Sequence, residues 1–366
     1  MLDLLLEYGA LSRSDVWRLT GVSKPTASQS LTRLEESGHV LQSGVEESAR
    51  GGRATTMYRL NPRAGFAAAI DVTATGVHVR IADLLGTVIG EHRGEGAPRP
   101  QDAIDALQTG LEQAGLTGPD LSALVVALPG SYDPDADLLR FAPHLPRWLE
   151  PGLLARLEDA VGAPAYIEND VNLVAIAEQR VGAARDDQDF LLLWSDEGLG
   201  SAIVLGGRLH RGGAGGAGEI AYLLVPGIDV VRNPVREDHG GFDDLAGAAA
   251  ILDLAARHGL PGDAPHDAVA TAVSSGFTGF IDESCGALRL WARLGHRPAS
   301  IRRPSCPAGR TMDAGGTNLV DAIRRQLDEI SIRSPRLVLG EVAREAVITG
   351  ALLVGLERTR DGVFST

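Results

Sequence analysis

Ser12, Gly21 and Ser23 constrain the start of this chain more tightly than any other residues. A serine that can bond the backbone N–H three residues ahead marks a helix start, and a glycine free to turn left-handed marks a helix stop. Ser12 and Asp15 have capping-box spacing and open a helix with Val16, Trp17 and Leu19 as its apolar positions. Gly21 ends it and Ser23 opens the next, with Pro25 in the first turn, where a missing N–H costs nothing. Ala27, Leu31 and Leu34 then recur at helical spacing until Gly38. Leu2, Leu4, Leu5 and Leu6 supply an earlier helix. Short strands are expected at 39–42 and 55–60, joined by a polar turn carrying Arg50-Gly51-Gly52-Arg53.

Three helices followed by a two-stranded wing make residues 1–62 a winged helix-turn-helix. Its third helix carries Lys24, Thr26, Ser28, Gln29 and Arg33 at polar positions. Gln can bond adenine twice, Lys and Arg reach guanine or phosphate, and Ser and Thr serve either. Arg50 and Arg53 form a basic hook suited to a minor groove. The bland alternative is an ordinary solvated helix face; cap, turn, helix and Arg-bearing wing together favour DNA. The chain's net charge of −14 does not oppose this. Residues 1–62 hold seven basic and seven acidic groups, so the deficit lies in the remainder.

Residues 63–66 read as a linker, and from Phe66 the pattern changes. AAAIDV, VHVRIADLLG, TVIGEH, ALVVALPG and AYIEND read as strands. Helices are expected at 101–114, 150–160 and along LVAIAEQRVG, and FLLLWSDEGLGSAIVLGGRLHRG reads as a hairpin. Mixed strands and helices with glycine turns indicate an α/β body over 67–366. Hydrophobic residues make up 44%, enough for packed cores. No apolar run spans a bilayer and the N-terminus lacks a signal-peptide pattern, so a cytoplasmic protein is expected. Met1 falls inside the first helix, as a start assigned late would leave it. Cys285 and Cys306 alone make neither a disulfide framework nor a zinc site.

Asn169 and Asp170 leave a strand at a turn, where side chains converge on a ligand crevice. Carboxylates and amides there suit a ligand rich in polar groups, since each can bond two neighbouring ones. The plainer alternative is an Asx turn, with Glu219 as a helix cap. In order and spacing, AAIDVTATGVHVRIADLLG, VVALPGSYD, APHLPRW, YIENDVN and RGGAGGAGEIAY resemble the ROK family of repressors, open reading frames and kinases. The resemblance implies an actin-like, two-lobed sugar-kinase fold, and the DNA-binding head resembles the repressor branch. It implies that Asn169, Asp170, Glu219 and, less strongly, Asp244 hold an effector sugar, with Gly130 letting backbone approach it. In kinase members the residue matching Asp170 is the general base.

The departures point away from catalysis. Kinase members carry Asp-x-Gly-Gly-Thr-Lys where this chain has Asp71 to Gly76 without the paired glycines or the lysine. Their second phosphate loop, Gly-Thr-Gly-x-Gly, is here Asp196-Glu197-Gly198-Leu199-Gly200, and two acidic groups there would repel a triphosphate. The family's zinc site also lacks its ligands: Tyr222 stands for the histidine, Phe242 for a cysteine, and His239 with Asp238 are too few. No metal or cofactor is therefore expected, and packing of Tyr222 and Phe242 is expected to order this loop. Residues 285–312 depart from the family's buried strand. A compensated frame slip over Ser300–Cys306 or a genuine insertion would explain them, and a native segment would leave the second lobe short of a central strand. Together these features predict a sugar-controlled DNA-binding repressor, working as a homodimer on paired half-sites, without enzyme activity. The alternative is a hexose kinase with an accessory DNA-binding head.

Overall fold

A computed structural model of the chain describes residues 1–46, 55–142, 144–196, 198–213, 215–225, 241–285, 305–330 and 335–365. After α1 (Leu2–Tyr8) and the short β1 (Ala10–Ser12), the serine caps act where the spacing puts them. Ser12 Oγ accepts the Asp15 N–H at 3.1 Å, and Asp15 Oδ2 accepts the Ser12 N–H at 3.1 Å, opening α2 (Arg13–Thr20). Gly21 stops α2 at φ 71°, and Ser23 caps α3 (Lys24–Glu36). Val16, Ala27 and Leu31 are fully buried between these helices. The accompanying sheet has three antiparallel strands instead of two: β1 pairs with β3 (Thr55–Leu60), and β3 with β2 (Val40–Glu46). Three residues are too few for β1 to announce itself by alternation. Arg50 and Arg53 lie outside the described residues.

Residues 63–66, read as a linker, are folded. Pro62–Ala64 form a 3₁₀ turn, the Pro62 carbonyl accepts the Leu84 N–H at 3.0 Å, and the Arg63 guanidinium stacks 5.2 Å from the Phe66 ring. Phe66 already begins the first lobe, which contains β4 (Phe66–Thr73), β5 (Gly76–Asp83), β6 (Val88–Glu95), α4 (Pro100–Ala114) and β7 (Ala123–Leu128). The hairpin β8 (Ser131–Asp133) and β9 (Leu138–Arg140), helix α5 (Leu153–Val161) and β10 (Ala165–Asn169) complete it. Its sheet runs β10-β7-β4-β5-β6, with β10, β7 and β4 parallel and β5 and β6 antiparallel. Alternation along β4 sends Ala68, Ile70 and Val72 toward one core and Ala67 and Ala69 toward another.

α6 (Asp170–Val181) leaves β10 without a gap and lies between the lobes. Its Leu173 packs with the first-lobe sheet, and Val171, Val174 and Ala175 pack with the second-lobe sheet. That second sheet joins β11 (Phe190–Ser195), β12 (Leu199–Leu205) and β13 (Arg208–Leu209). Helices α7 (Asp243–Ala246), α8 (Ala248–Arg257), α9 (Pro265–Ser274) and α10 (residues 278–285) pack beside it.

The second lobe keeps a strand in the segment expected to have lost one. β14 (Ser305–Ala308) runs parallel to β11 with all four residues buried. Pro307 lacks an N–H and is tolerated because β14 is the last strand in the order β13-β12-β11-β14. Beyond it, the Ser305 and Pro307 carbonyls accept the N–H groups of Val338 and Gly340. Residues 286–304 of that segment lie outside the described residues. α11 (Arg310–Ile330), broken at Gly316, and α12 (Ala346–Phe364) end the chain's order of elements. Gly350 lets α12 press onto α6: a Cβ there would stand 1.9 Å from the Leu173 carbonyl oxygen.

Candidate functional site

The cleft wall is built where β10 turns into α6. Asn169 ends the strand, and its Oδ1 caps the helix by accepting the Asn172 N–H at 2.9 Å. Its Nδ2 donates to the Gly130 carbonyl at 2.8 Å, tying β10 to the turn after β7. The Asx alternative is thus realised in Asn169, while its remaining amide hydrogen keeps some capacity for a ligand. Gly130 has φ 89°, and a Cβ there would lie 2.4 Å from the Arg140 carbonyl oxygen, so only glycine fits this turn. Asp170 is half-buried at the first turn of α6, where the helix dipole favours a negative charge, and accepts the Val171 N–H at 2.8 Å.

Glu219 does not cap the 3₁₀ turn Ile220–Tyr222 that follows it, since its side chain makes no cap bond. Instead it is buried near enough to Asp170 to feel its charge. Burial pushes the Glu219 carboxyl up to about 7, and the negative charge of Asp170 adds to the push. Near neutrality Glu219 can therefore donate to an oxygen while Asp170 accepts, a pairing that matches neighbouring hydroxyls. Asp244 differs: it is exposed on α7, not buried beside this pair.

The stretches matched to phosphate loops are tied up internally. Thr73 to Gly76 is a tight hairpin in which the Thr75 N–H donates to Thr73 Oγ1 at 3.3 Å. Asp196 is paired: Arg310 Nε donates to its Oδ1 at 2.6 Å. Repulsion of a phosphate by Asp196 is thereby reduced, and an incoming phosphate would instead compete with Asp196 for Arg310. Glu197 lies outside the described residues.

At the described ends of the loop that would carry zinc ligands, two rings are packed. Tyr222 meets Phe141 of the other lobe, with ring centroids 5.4 Å apart, and Phe242 is fully buried in the second-lobe core. Asp238 and His239 lie outside the described residues. Among the described residues no group of three His, Cys, Asp or Glu could hold a metal ion. Tyr222 and Phe242 are not among the Cys, His and carboxylate side chains that usually bind zinc.

Sequence reasoning missed two carboxylates, one far along α6 and one at the wall itself. Glu178 is fully buried on α6 and accepts the N–H groups of Ala183, Glu341 and Val342 at 2.8, 3.1 and 2.9 Å. Glu168 is saturated by donors from three directions, one of them Arg211. Their only sequence signal was a carboxylate inside an otherwise apolar strand or helix.

On the head, Lys24, Thr26, Gln29 and Arg33 are exposed on α3, the last three sharing one face. Lys24 Nζ sits 4.5 Å from the Trp17 ring centroid, and the Thr26 hydroxyl meets Ser23 Oγ at 2.8 Å. Ser28 is half-buried and accepts from Arg13 Nη1 at 3.1 Å, while Arg13 Nε donates to the Tyr58 hydroxyl at 3.0 Å. Arg13, not singled out beforehand, thus joins the α3 face to β3.

Comparison with known proteins agrees with this architecture. Residues 67–242 match the ROK family. The chain is 26% identical over 230 residues to the xylose repressor of Bacillus subtilis (strain 168), covering 62% of this chain and 59% of that protein. It spans only about six-tenths of the length of the curated relatives it matches. A ROK family transcriptional regulator, a homolog of the E. coli MLC protein, has a similar fold with TM-score 0.73 at 19% identity, covering 97% of this chain and 93% of its own. The ROK hexokinase of Thermus thermophilus aligns with TM-score 0.66 at 21% identity, covering 81% of this chain and 100% of its own.

Proposed function

Given that residues 67–242 form a ROK-family domain, we propose that this chain is a sugar-controlled, DNA-binding transcriptional repressor with a non-catalytic sensor body. One observation carries the reading: Glu219 is buried near enough to Asp170 to feel its charge, in a chain whose Thr73–Gly76 hairpin bonds to itself and whose Asp196 is held by Arg310. The regulator with a similar fold supports it, because its coverage of 97% must extend over most of residues 1–62. The xylose repressor relative makes a pentose or hexose the first effector class to try.

Residues 1–62 serve as a winged helix-turn-helix. α3 enters the major groove, with Gln29 and Arg33 reaching base edges and Lys24, Thr26 and Ser28 placing the helix against the backbone. Arg50 and Arg53 follow in the wing, and two heads of a homodimer read half-sites one helical turn apart. No metal or cofactor takes part. Among the described residues no helix is long and apolar enough to cross a membrane, which suits work on cytoplasmic DNA.

Effector and operator are linked through packed elements. α6 begins at Asp170, α12 packs across α6 and the first-lobe sheet, and Val363 and Phe364 at the far end of α12 enter the core of the head. Sugar binding closes the lobes, shifts this helix pair and changes head spacing, so the two ligands bind differently to two states. The test is electrophoretic retardation of the chain's own upstream DNA. Specific retardation, weakened roughly tenfold by Arg33→Ala and reversed by D-xylose or D-glucose, is expected. Absence of specific retardation at moderate salt, or turnover of ATP with a sugar, would refute the reading.

A further inference from the structure

After β13, the described residues 211–213 and 215–218 touch three separate elements before Glu219. At its neck the Ala217 N–H donates to the Arg211 carbonyl at 3.0 Å. At its tip, a Cβ on Gly215 would stand 2.8 Å from Ser131 Oγ and 2.9 Å from the Tyr132 carbonyl oxygen, so the loop backbone lies against β8 of the first lobe. At its exit, a Cβ on Gly218 would stand 2.1 Å from the Ser201 carbonyl oxygen on β12. A glycine-rich path of this kind loses much conformational entropy on ordering, and something must hold it in place.

Glu168 provides that hold. Its Oε1 accepts the Asn169 N–H at 3.1 Å and Asn172 Nδ2 at 2.8 Å. Its Oε2 accepts Arg211 Nε at 2.7 Å and lies 2.5 Å from Arg211 Nη2. A carboxylate offers about four acceptor sites, so Glu168 has none left for a sugar. The same group therefore fixes the Asn169–Asp170 turn from one side and the neck of the Glu219 loop from the other.

We infer that Arg211 and Glu168 form a clasp that sets effector affinity by holding the glycine loop, and Glu219 with it, against the Asn169–Asp170 turn. Both are positioning residues. This rests on the proposal that Asp170 and Glu219 bind the sugar hydroxyls.

Calorimetric titration of the full chain with a panel of pentoses and hexoses, D-xylose and D-glucose first, tests it on the wild type, Asp170→Asn, Arg211→Ala and Arg211→Lys. Arg211→Ala should weaken the bound sugar about tenfold, and Arg211→Lys should recover part of that loss, since a lysine keeps the charge without the planar fork. Thermal midpoint and retardation of the chain's own upstream DNA should stay at wild-type values in both. If Arg211→Ala does not fold, Arg211→Lys carries the test alone, with an expected threefold weakening or thereabouts. Sugar affinity within twofold of wild type in the Arg211 variants, with Asp170→Asn weakening binding about a hundredfold, would overturn the clasp and leave the site intact. A wild type that binds no sugar of the panel would overturn the site and the clasp together.

Discussion

The two sides of the cleft are built from similar material to opposite ends. On the side proposed for the sugar, Glu168, Asn169 and Asn172 are bonded to one another and to backbone, and burial with the charge of Asp170 raises the Glu219 carboxyl to about 7. On the phosphate side, the hairpin at Thr73–Gly76 turns its Thr75 N–H inward, and Asp196 engages Arg310. On the proposed reading, binding and catalysis fall to separable elements of this fold. A chain can thus retain organised polar groups for one and redirect those of the other into internal bonds.

The largest effect expected from disturbing this contrast lies beneath the sugar side. Gly350→Ala would drive a Cβ into the Leu173 carbonyl on α6, the helix that begins at Asp170. Overpacking against rigid backbone should cost about 3 kcal/mol or more and lower the thermal midpoint by at least roughly 6 °C. Differential scanning calorimetry would detect it, and an unchanged midpoint would mean that α6 and α12 do not pack this closely.

Next comes Asp170→Asn, expected to weaken sugar binding by about a hundredfold while leaving operator retardation in place, because an amide replaces two strong acceptors with one weaker one. Equal sugar affinity in the variant would erase the distinction between the two sides.

Glu219 contributes a pH signature of smaller size. Its carboxyl is raised from 4.5 to about 7 in the fold, so folding favours the protonated form. The associated stability is fully present below pH 4.5 and falls as pH rises toward 7, by an amount on the order of 2 kcal/mol allowing for partial exposure. Urea midpoints between pH 5 and 8 should show this decline in the wild type and lose most of it in Glu219→Gln.

The smallest effect is expected on the phosphate side. Asp196→Asn should leave sugar affinity within about twofold, since the Arg310 pair is only partly buried and bonds outside the sugar wall. A tenfold change in the same calorimetric titration would show that the two sides are coupled after all.

Legibility in the sequence followed the distance over which each feature is decided. The Ser12–Asp15 box, the Ser23 cap and the alternation of β4 act within three or four residues, and all were readable. β14 was not, because Ser-Cys-Pro-Ala carries no strand signature and becomes a strand only by lying along β11. Arg211 and Glu168 are 43 residues apart, and Glu178 is 164 residues from Val342. No local pattern reports such pairs.

What the residue order determined alone was the set of capped helices, the switch from helical to alternating periodicity near Phe66, and the carboxylates and glycines available for a sugar site. Each depends on backbone bonding between near neighbours or on which side of a strand a residue must face. Tertiary structure alone decided what each carboxylate meets: Arg211 holds Glu168, Arg310 holds Asp196, and Glu219 is buried within reach of the Asp170 charge. Acidity and bonding capacity depend on what surrounds a group in space, and remote segments supply those surroundings only once the chain has folded.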